Sequence, residues 1–188
     1  KECPPYETEY CESRDTFHRA QQMADLGGFY RAFGLRVDPS SPERPDHVSL
    51  VIGFVSSMAQ RLVMADGAIN RTDQDEEHLS VVRDALRAFV RDHVAWWLPT
   101  FGRALEARAT RQAGEVEQGP LHGALLDLAG IGRLVRAWAT VERAAACVEP
   151  SRRILAPSVP EPENEEEACQ ASCGDCASAE DSGSSAPG

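Results

Sequence analysis

Long apolar runs are missing from this 188-residue chain, and lysine is almost absent, since Lys1 is the only one. No stretch approaches the ~18–20 consecutive apolar residues that cross a bilayer, so we predict no membrane span. No charged-then-apolar-then-small pattern follows Lys1, so we also predict no signal peptide. Six cysteines without any sign of export favour a cytoplasmic protein with reduced thiols.

A basic stripe is lacking as well. The chain carries 30 acidic and 19 basic residues, for a net charge of −11, and the segment 157–188 holds eight of the acids and no base. Such a chain cannot neutralise a row of phosphates, which excludes nucleic acid as a partner. The charge favours a basic peptide or a cationic protein surface instead.

Apolar residues recur at helical spacing through most of the chain, and no segment alternates like a strand. One such helix face repeats every four residues and consists of Leu50, Phe54, Met58 and Leu62. From residue 157 onward, proline, glutamate, serine and glycine dominate, and almost nothing there could pack. We therefore predict an all-α bundle of four to five helices over residues 1–156 and a disordered acidic tail over 157–188.

Local signals predict where the first helices begin and end. Asp15 or Ser13 caps a first helix, and Gly34 is its C-terminal cap. Three prolines then mark a loop, because proline disfavours both helix and central strand. After that loop Asp46 is predicted to cap a second helix over about residues 47–65.

The later helices carry longer apolar faces. Thr72 resembles the start of a capping box, and a continuous apolar helix face then extends to Leu105, with a kink expected at Pro99. Pro120 opens a last helix that runs to about Ala146. The residues of this helix predicted to face inward are Leu121, Leu125, Leu128, Ile131, Val135, Trp138 and Val141.

Two residue pairs stand out as candidate catalytic or binding groups. Asp46 and His47 invite an acid–base interpretation, because a carboxylate can orient an imidazole. No serine or cysteine nucleophile is evident beside them, so a role at a helix start is favoured. Trp96 and Trp97 point about 100° apart on a helix, so only Trp97 continues the core face. Trp96 is predicted either to border a surface groove for an apolar ligand or to pack inside.

Three cysteines of the predicted tail have the only metal-like spacing. Cys169, Cys173 and Cys176 could hold zinc or an iron–sulfur cluster as thiolates. A fourth ligand is missing locally, although Cys147 or a second chain could supply one. The alternative is a set of exposed, oxidisable thiols, because ligand spacing alone rarely guarantees a folded site.

Four motifs follow one another along the chain, at residues 4–7 (Pro-Pro-Tyr-Glu), 29–35 (Phe-Tyr-Arg-Ala-Phe-Gly-Leu), 45–47 (Pro-Asp-His) and 93–101. In this order they resemble the TorD/DmsD/NarJ-type family of redox-enzyme maturation chaperones. The resemblance spans roughly residues 4–145, the whole predicted folded part. Members of that family carry several helices before the Pro-Pro-Tyr segment. Residues 1–156 are therefore expected to be the C-terminal part of the family domain.

The resemblance implies an all-helical, non-enzymatic cytoplasmic chaperone without a cofactor of its own. Its partner would be the catalytic subunit of a molybdenum oxidoreductase, bound through its twin-arginine signal peptide or in its apo form. Molybdopterin cofactor would then be inserted before export. The peptide-binding residues implied for this sequence are Glu43, Pro45, Asp46 and His47, with Tyr6 and Glu7 in support and Trp96 beside an apolar groove. Arg44 stands between Glu43 and Pro45, a departure from the family pattern.

Two other functions fit the sequence. A thiol-based metal or iron–sulfur carrier would act through Cys169, Cys173 and Cys176, and zinc or iron would then co-purify without oxygen and be lost on deletion of the tail. A helical regulator or subunit would instead dock its acidic tail on a basic partner, which the isolated tail would retain. No motif identifies the client enzyme or the oligomeric state.

Overall fold

The computed structural model describes residues 3–11, 15–38, 40, 43–67, 72–152 and 154. These residues contain five α-helices, one 3₁₀ turn, one π-helical turn and no β-strand, which confirms the predicted all-α class. Extended backbone pairs among them only at an isolated antiparallel bridge between Tyr6 and His47. The predicted acidic tail and its three cysteines lie outside the described residues.

Most helix ends agree with the local sequence signals. Asp15 caps the first helix by accepting a hydrogen bond from the Phe17 amide, and Gly34 follows its last turn with a φ of 71°. Thr72 and Asp75 form the capping box that opens the third helix. The elements are the 3₁₀ turn Glu7–Tyr10, α1 Thr16–Ala32, α2 Val48–Asp66, α3 Asp73–Phe89, the π turn Val90–Val94, α4 Leu98–Glu115 and α5 Pro120–Ala146.

The start of α2 differs from the prediction. Its N-cap is His47, whose Nδ1 accepts a hydrogen bond from the Ser49 amide, so the expectation of a cap at Asp46 is wrong. The Asp46 carboxylate instead accepts hydrogen bonds from Thr8, which lies 38 residues away in the chain. A buried tertiary partner therefore outweighs the local capping preference of aspartate.

The single kinked helix predicted around Pro99 is in fact two helices. α3 ends at Phe89, the π turn follows, and α4 begins at Leu98. Pro99 lies in the first turn of α4, where a backbone amide has no helical partner and proline is well tolerated. The π turn between the two helices places His93 in the core, where the side chain is 1% exposed.

Aromatic rings from three helices form the centre of the core. Phe54 of α2 and Phe89 of α3 lie 4.2 Å apart between ring centroids, and Phe29 of α1 meets both edge-on. Burying such rings stabilises the fold by roughly 25 cal/mol per Å² of apolar surface. By length and composition alone α2 could also cross a membrane, as many core helices of soluble proteins could. Its side chains Val51, Phe54, Val55 and Met58 are buried within the protein.

α4 and α5 approach each other closely because glycine faces glycine. A Cβ added at Gly102 would lie 2.6 Å from the carbonyl oxygen of Gly132, and one added at Gly132 would lie 2.6 Å from that of Gly102. Neither position has space for a side chain. The buried face of α5 is accordingly made mostly of small residues, namely Ala129, Gly132, Val135 and Ala139.

The inward face predicted for α5 is therefore largely wrong. Val135 is buried as expected, and Leu125 and Trp138 are partly buried. The other predicted inward residues are exposed, namely Leu121, Leu128, Ile131 and Val141. Helical periodicity identifies apolar faces, but the close packing against α4 selects the face with the smallest side chains.

Substitution of Gly132 by alanine should destabilise the protein by about 1–3 kcal/mol, because the new methyl group forces α4 and α5 apart. Gly123→Ala is the matched control, since a Cβ at this α5 position meets nothing within 4 Å. The control should stabilise the helix by about 0.5–1 kcal/mol. Urea unfolding of both variants measures the difference, and equal effects would contradict the close glycine contact.

Candidate functional site

The segment before α1 folds back across the start of α2. The Glu7 amide donates to the carbonyl oxygen of Asp46 at 3.0 Å, and the Val48 amide donates to the carbonyl oxygen of Pro5 at 2.8 Å. These bonds join two proline-containing connectors, residues 4–10 and 43–47, that lie some forty residues apart in the sequence. The backbone of one connector thereby fixes the position of the other.

The Asp46 carboxylate lies under this contact and is 0% exposed. Its Oδ2 accepts from the Thr8 hydroxyl at 2.7 Å and from the Thr8 amide at 3.2 Å. Nε and Nη2 of Arg44 donate to its two oxygens, each at 3.0 Å. Four hydrogen bonds thus compensate for the removal of the carboxylate from water, which would otherwise be costly.

Arg44 closes over Asp46 from the solvent side, and its side chain is 37% exposed. The guanidinium carbon lies 4.2 Å from the centre of the Tyr6 ring, in a cation–π contact. Nη2 of Arg44 also donates to the Thr8 hydroxyl oxygen at 3.2 Å, and Nη1 lies 3.8 Å from Glu9. The Arg44 guanidinium therefore makes a two-pronged hydrogen bond to Asp46, stacks on the Tyr6 ring and lies near a second carboxylate, that of Glu9.

Glu43 and His47 extend these contacts along the surface. The Tyr6 hydroxyl donates to Glu43 at 2.8 Å, and this hydrogen bond raises the pKa of Tyr6 above its usual value. Nε2 of His47 lies 3.6 Å from the same carboxylate oxygen, and the His47 ring meets the Tyr6 ring edge-on at 5.2 Å. We call Tyr6, Glu43, Arg44, Asp46 and His47 the α2-start patch.

A serine does lie beside His47, contrary to the sequence-based expectation that no nucleophile would. The Ser49 hydroxyl oxygen is 2.7 Å from Nδ1 of His47, and the Ser49 amide donates to that nitrogen at 3.3 Å. Both groups of Ser49 thus face one ring nitrogen at the first turn of α2. This is the arrangement of a helix cap, in which the imidazole satisfies an unpaired amide.

A second buried carboxylate, Glu7, connects the patch to the core. Glu7 is 0% exposed and lies 3.1 Å from Nδ1 of His93, while Nε2 of His93 lies 3.2 Å from the largely exposed carboxylate of Asp25. Burial raises the pKa of Glu7, and the hydrogen bond with His93 opposes part of that rise. The carbonyl oxygen of His93 accepts from the Trp97 indole at 2.8 Å, so the network ends in the core.

An open apolar groove of about 210 Å³ lies between the end of α1 and α2. We call it the α2 groove, and its main lining residues are Tyr30, Leu35, Val37, Leu50 and Phe54. Two of its members also contact the patch region: the Tyr30 hydroxyl donates to the Pro45 carbonyl oxygen at 2.9 Å, and the Ser49 hydroxyl oxygen lies 2.7 Å from Nδ1 of His47. Groove and patch are therefore continuous.

The predicted site residues separate into two groups. Tyr6, Glu43, Pro45 and His47 are partly exposed around the start of α2, whereas Glu7 and Asp46 are buried beneath them. The sequence analysis did not predict that Thr8, Asp25 and Arg44 belong to this region. The one signal for Arg44 was its position between Glu43 and Pro45, where it departs from the family pattern.

Trp96 packs inside the part of the protein that the structure describes. Its side chain is buried, its indole donates to the Asp92 carbonyl oxygen at 2.8 Å, and the guanidinium of Arg152 covers the ring at 5.6 Å. The packed alternative for Trp96 is therefore the one found. Cys169, Cys173 and Cys176 lie outside the described residues, and within the described part no group of His, Cys, Asp or Glu could hold a metal ion.

The sequence profile of the family described as the nitrate reductase delta subunit matches residues 1–103, more than half of the chain. The chain belongs to this family, which confirms the resemblance to redox-enzyme maturation chaperones. No solved structure matches it at a significant level.

Two curated relatives are similar over a shorter region. The selenate reductase assembly chaperone protein of Thauera selenatis is 30% identical over 116 residues, which cover 62% of this chain and 55% of that protein. The chlorate reductase assembly chaperone protein of Ideonella dechloratans is 30% identical over 105 residues, which cover 56% and 49%. The chain thus spans about half the length of these relatives.

Replacing Glu7 by glutamine should change the pH dependence of stability. Because the pKa of Glu7 is raised on folding, its stabilising effect is complete below the ordinary value of 4.5 and is lost as pH rises towards the raised value. The free energy of unfolding of Glu7→Gln should therefore increase relative to wild type as pH rises above 4.5. Chemical denaturation across this pH range measures the trend. A constant difference, or the same trend in the exposed control Glu117→Gln, would contradict it.

Proposed function

We propose that this protein is a cytoplasmic assembly chaperone for a molybdenum-containing reductase and that it binds the twin-arginine signal peptide of the catalytic subunit. Membership of the family and the names of the two relatives support the general class. The observation that carries the proposed mode of action is the continuity of the acidic, aromatic α2-start patch with the apolar α2 groove.

The two surfaces match the two parts of such a peptide. A twin-arginine signal begins with basic residues and continues as an apolar stretch. The carboxylates of the patch suit the basic part, since a carboxylate can take an arginine in a two-pronged hydrogen bond. The groove suits the apolar part, because its lining is mostly hydrophobic. A chain net charge of −11 favours approach of a cationic peptide at low salt.

The residues of the site have separate roles in this proposal. Glu43 and His47 contact the peptide, and Tyr6 presents its ring to an arginine. Pro45 and Glu7 act as supports, because the Pro45 carbonyl oxygen accepts from Tyr30 and Glu7 is buried against His93. A bound signal would be withheld from export while molybdopterin cofactor enters the client's catalytic subunit.

The same geometry favours binding over catalysis. Asp46 accepts hydrogen bonds from Thr8 and Arg44, an arrangement that suits an ion pair with a guanidinium group. The Ser49–His47 pair satisfies the first turn of α2 instead of activating a hydroxyl. We therefore propose that the protein assists its client without performing chemistry.

A synthetic twin-arginine peptide should bind the wild-type chain, and Glu43→Gln should weaken binding by about tenfold, because one charge-assisted contact of about 1.4 kcal/mol is lost. Isothermal titration calorimetry measures both dissociation constants, Kd. A twin-lysine peptide should also bind more weakly, because lysine cannot reproduce the guanidinium fork.

Glu117→Gln is the matched control for this titration, since it makes the same change of charge at an exposed residue between α4 and α5. Equal weakening by both substitutions would show that only overall charge matters and would remove the patch from the site. Failure of the wild-type chain to bind any twin-arginine peptide would contradict the proposed function itself.

A further inference from the structure

We propose that Asp46, Thr8 and Tyr6 form a guanidinium-binding site that the chain's own Arg44 occupies, and that an arginine of the client peptide binds there by displacing Arg44. The inference rests on the proposed function, since it names the step by which the patch takes its ligand. Arg44 then acts as an internal competitor that sets the affinity for the client.

The contacts of Arg44 are those that a bound arginine would need. Two nitrogens lie on the two oxygens of Asp46 at 3.0 Å each, and the guanidinium lies 4.2 Å from the centre of the Tyr6 ring. Carboxylate forks and aromatic faces together are the preferred surroundings of guanidinium in proteins. Few other side chains could use this site, because a lysine ammonium is a compact charge without a planar fork.

Burial shows that the two guanidinium groups must compete. Asp46 is 0% exposed, whereas the Arg44 side chain above it is 37% exposed. A cation from solvent can therefore reach the carboxylate only at the position that Arg44 holds. Thr8 donates to Asp46 from the protein interior and keeps the carboxylate in place when Arg44 leaves.

A released Arg44 keeps an acidic neighbour, because Glu9 already lies 3.8 Å from its Nη1. The exchange therefore replaces one arginine by another on Asp46 without leaving a charge buried and unpaired. The site is occupied by Arg44 in most molecules of the free protein. The apparent Kd for the peptide therefore equals the intrinsic Kd divided by the fraction of molecules in which Arg44 has left the site.

The guanidinium site is tested first without any peptide. Arg44→Ala should have a lower Tm than wild type, because Asp46 loses its covering partner. N-ethylguanidinium at millimolar concentration should raise the Tm of this variant more than ethylammonium does at the same ionic strength, and should leave wild type unchanged. Adding Asp46→Asn to the variant should abolish the difference. Equal effects of the two cations on Arg44→Ala would overturn the inference.

Competition is tested with the twin-arginine peptide. If Arg44 occupies its site in nine molecules of ten, its removal should lower Kd by about tenfold. Arg103→Ala is the control, because it removes one positive charge from an exposed position of α4. Tighter binding by Arg44→Ala than by Arg103→Ala supports displacement. Unchanged or weaker binding by Arg44→Ala overturns it, since Arg44 would then be a bystander or a peptide contact.

A loss of stability in Arg44→Ala does not prevent these tests, because a second variant is available. Arg44→Gln keeps a hydrogen-bond donor above Asp46 and gives a second variant for the titration, with the same expected direction. The two proposals also fail differently. Peptide binding by wild type with no gain in either Arg44 variant overturns the displacement but keeps the chaperone function. No peptide binding by any variant overturns both, even where N-ethylguanidinium stabilises Arg44→Ala.

Discussion

The burial of the Asp46 carboxylate is the constraint on which the geometry of the site depends. A charge removed from water must be compensated, and here Thr8 and Arg44 donate four hydrogen bonds to it. Thr8 belongs to the 3₁₀ turn Glu7–Tyr10, so compensation at Asp46 also holds that turn against the start of α2. Arg44 reaches the carboxylate from the other side and becomes the outer wall of the patch. The need to compensate the buried Asp46 charge thus fixes the positions of both connectors.

Glu7 is a second buried carboxylate that needs compensating partners, and its partner lies in the core. It is the neighbour of Thr8, so one turn serves Asp46 on one side and His93 on the other. His93 lies in the π turn between α3 and α4, and its carbonyl oxygen holds the Trp97 indole. The surface patch is therefore supported by packed core residues. Such preorganisation favours recognition, because little conformational freedom is lost when a ligand binds.

Features with local causes were predictable from the sequence, and features with distant causes were not. The caps at Asp15 and Thr72 have partners within three residues, so the sequence shows both members of each pair. Asp46 has its partner 38 residues away, and the rule for helix caps therefore assigned it wrongly. The packed face of α5 depends on Gly102 of another helix, which periodicity within α5 cannot reveal. The family motifs pointed to the candidate site because they lie in both connectors, although they did not show which residues are buried.

The proposed replacement of Arg44 by a client arginine is most directly tested by NMR at the arginine Nε–H groups. The Arg44 signal, assigned by its loss in Arg44→Lys, reports the hydrogen bond to Asp46. On addition of a twin-arginine peptide, we expect this signal to lose its protection from exchange with water. In the converse experiment, a labelled peptide should show a protected Nε–H signal of its own. A peptide that binds while Arg44 stays protected would contradict the exchange on Asp46.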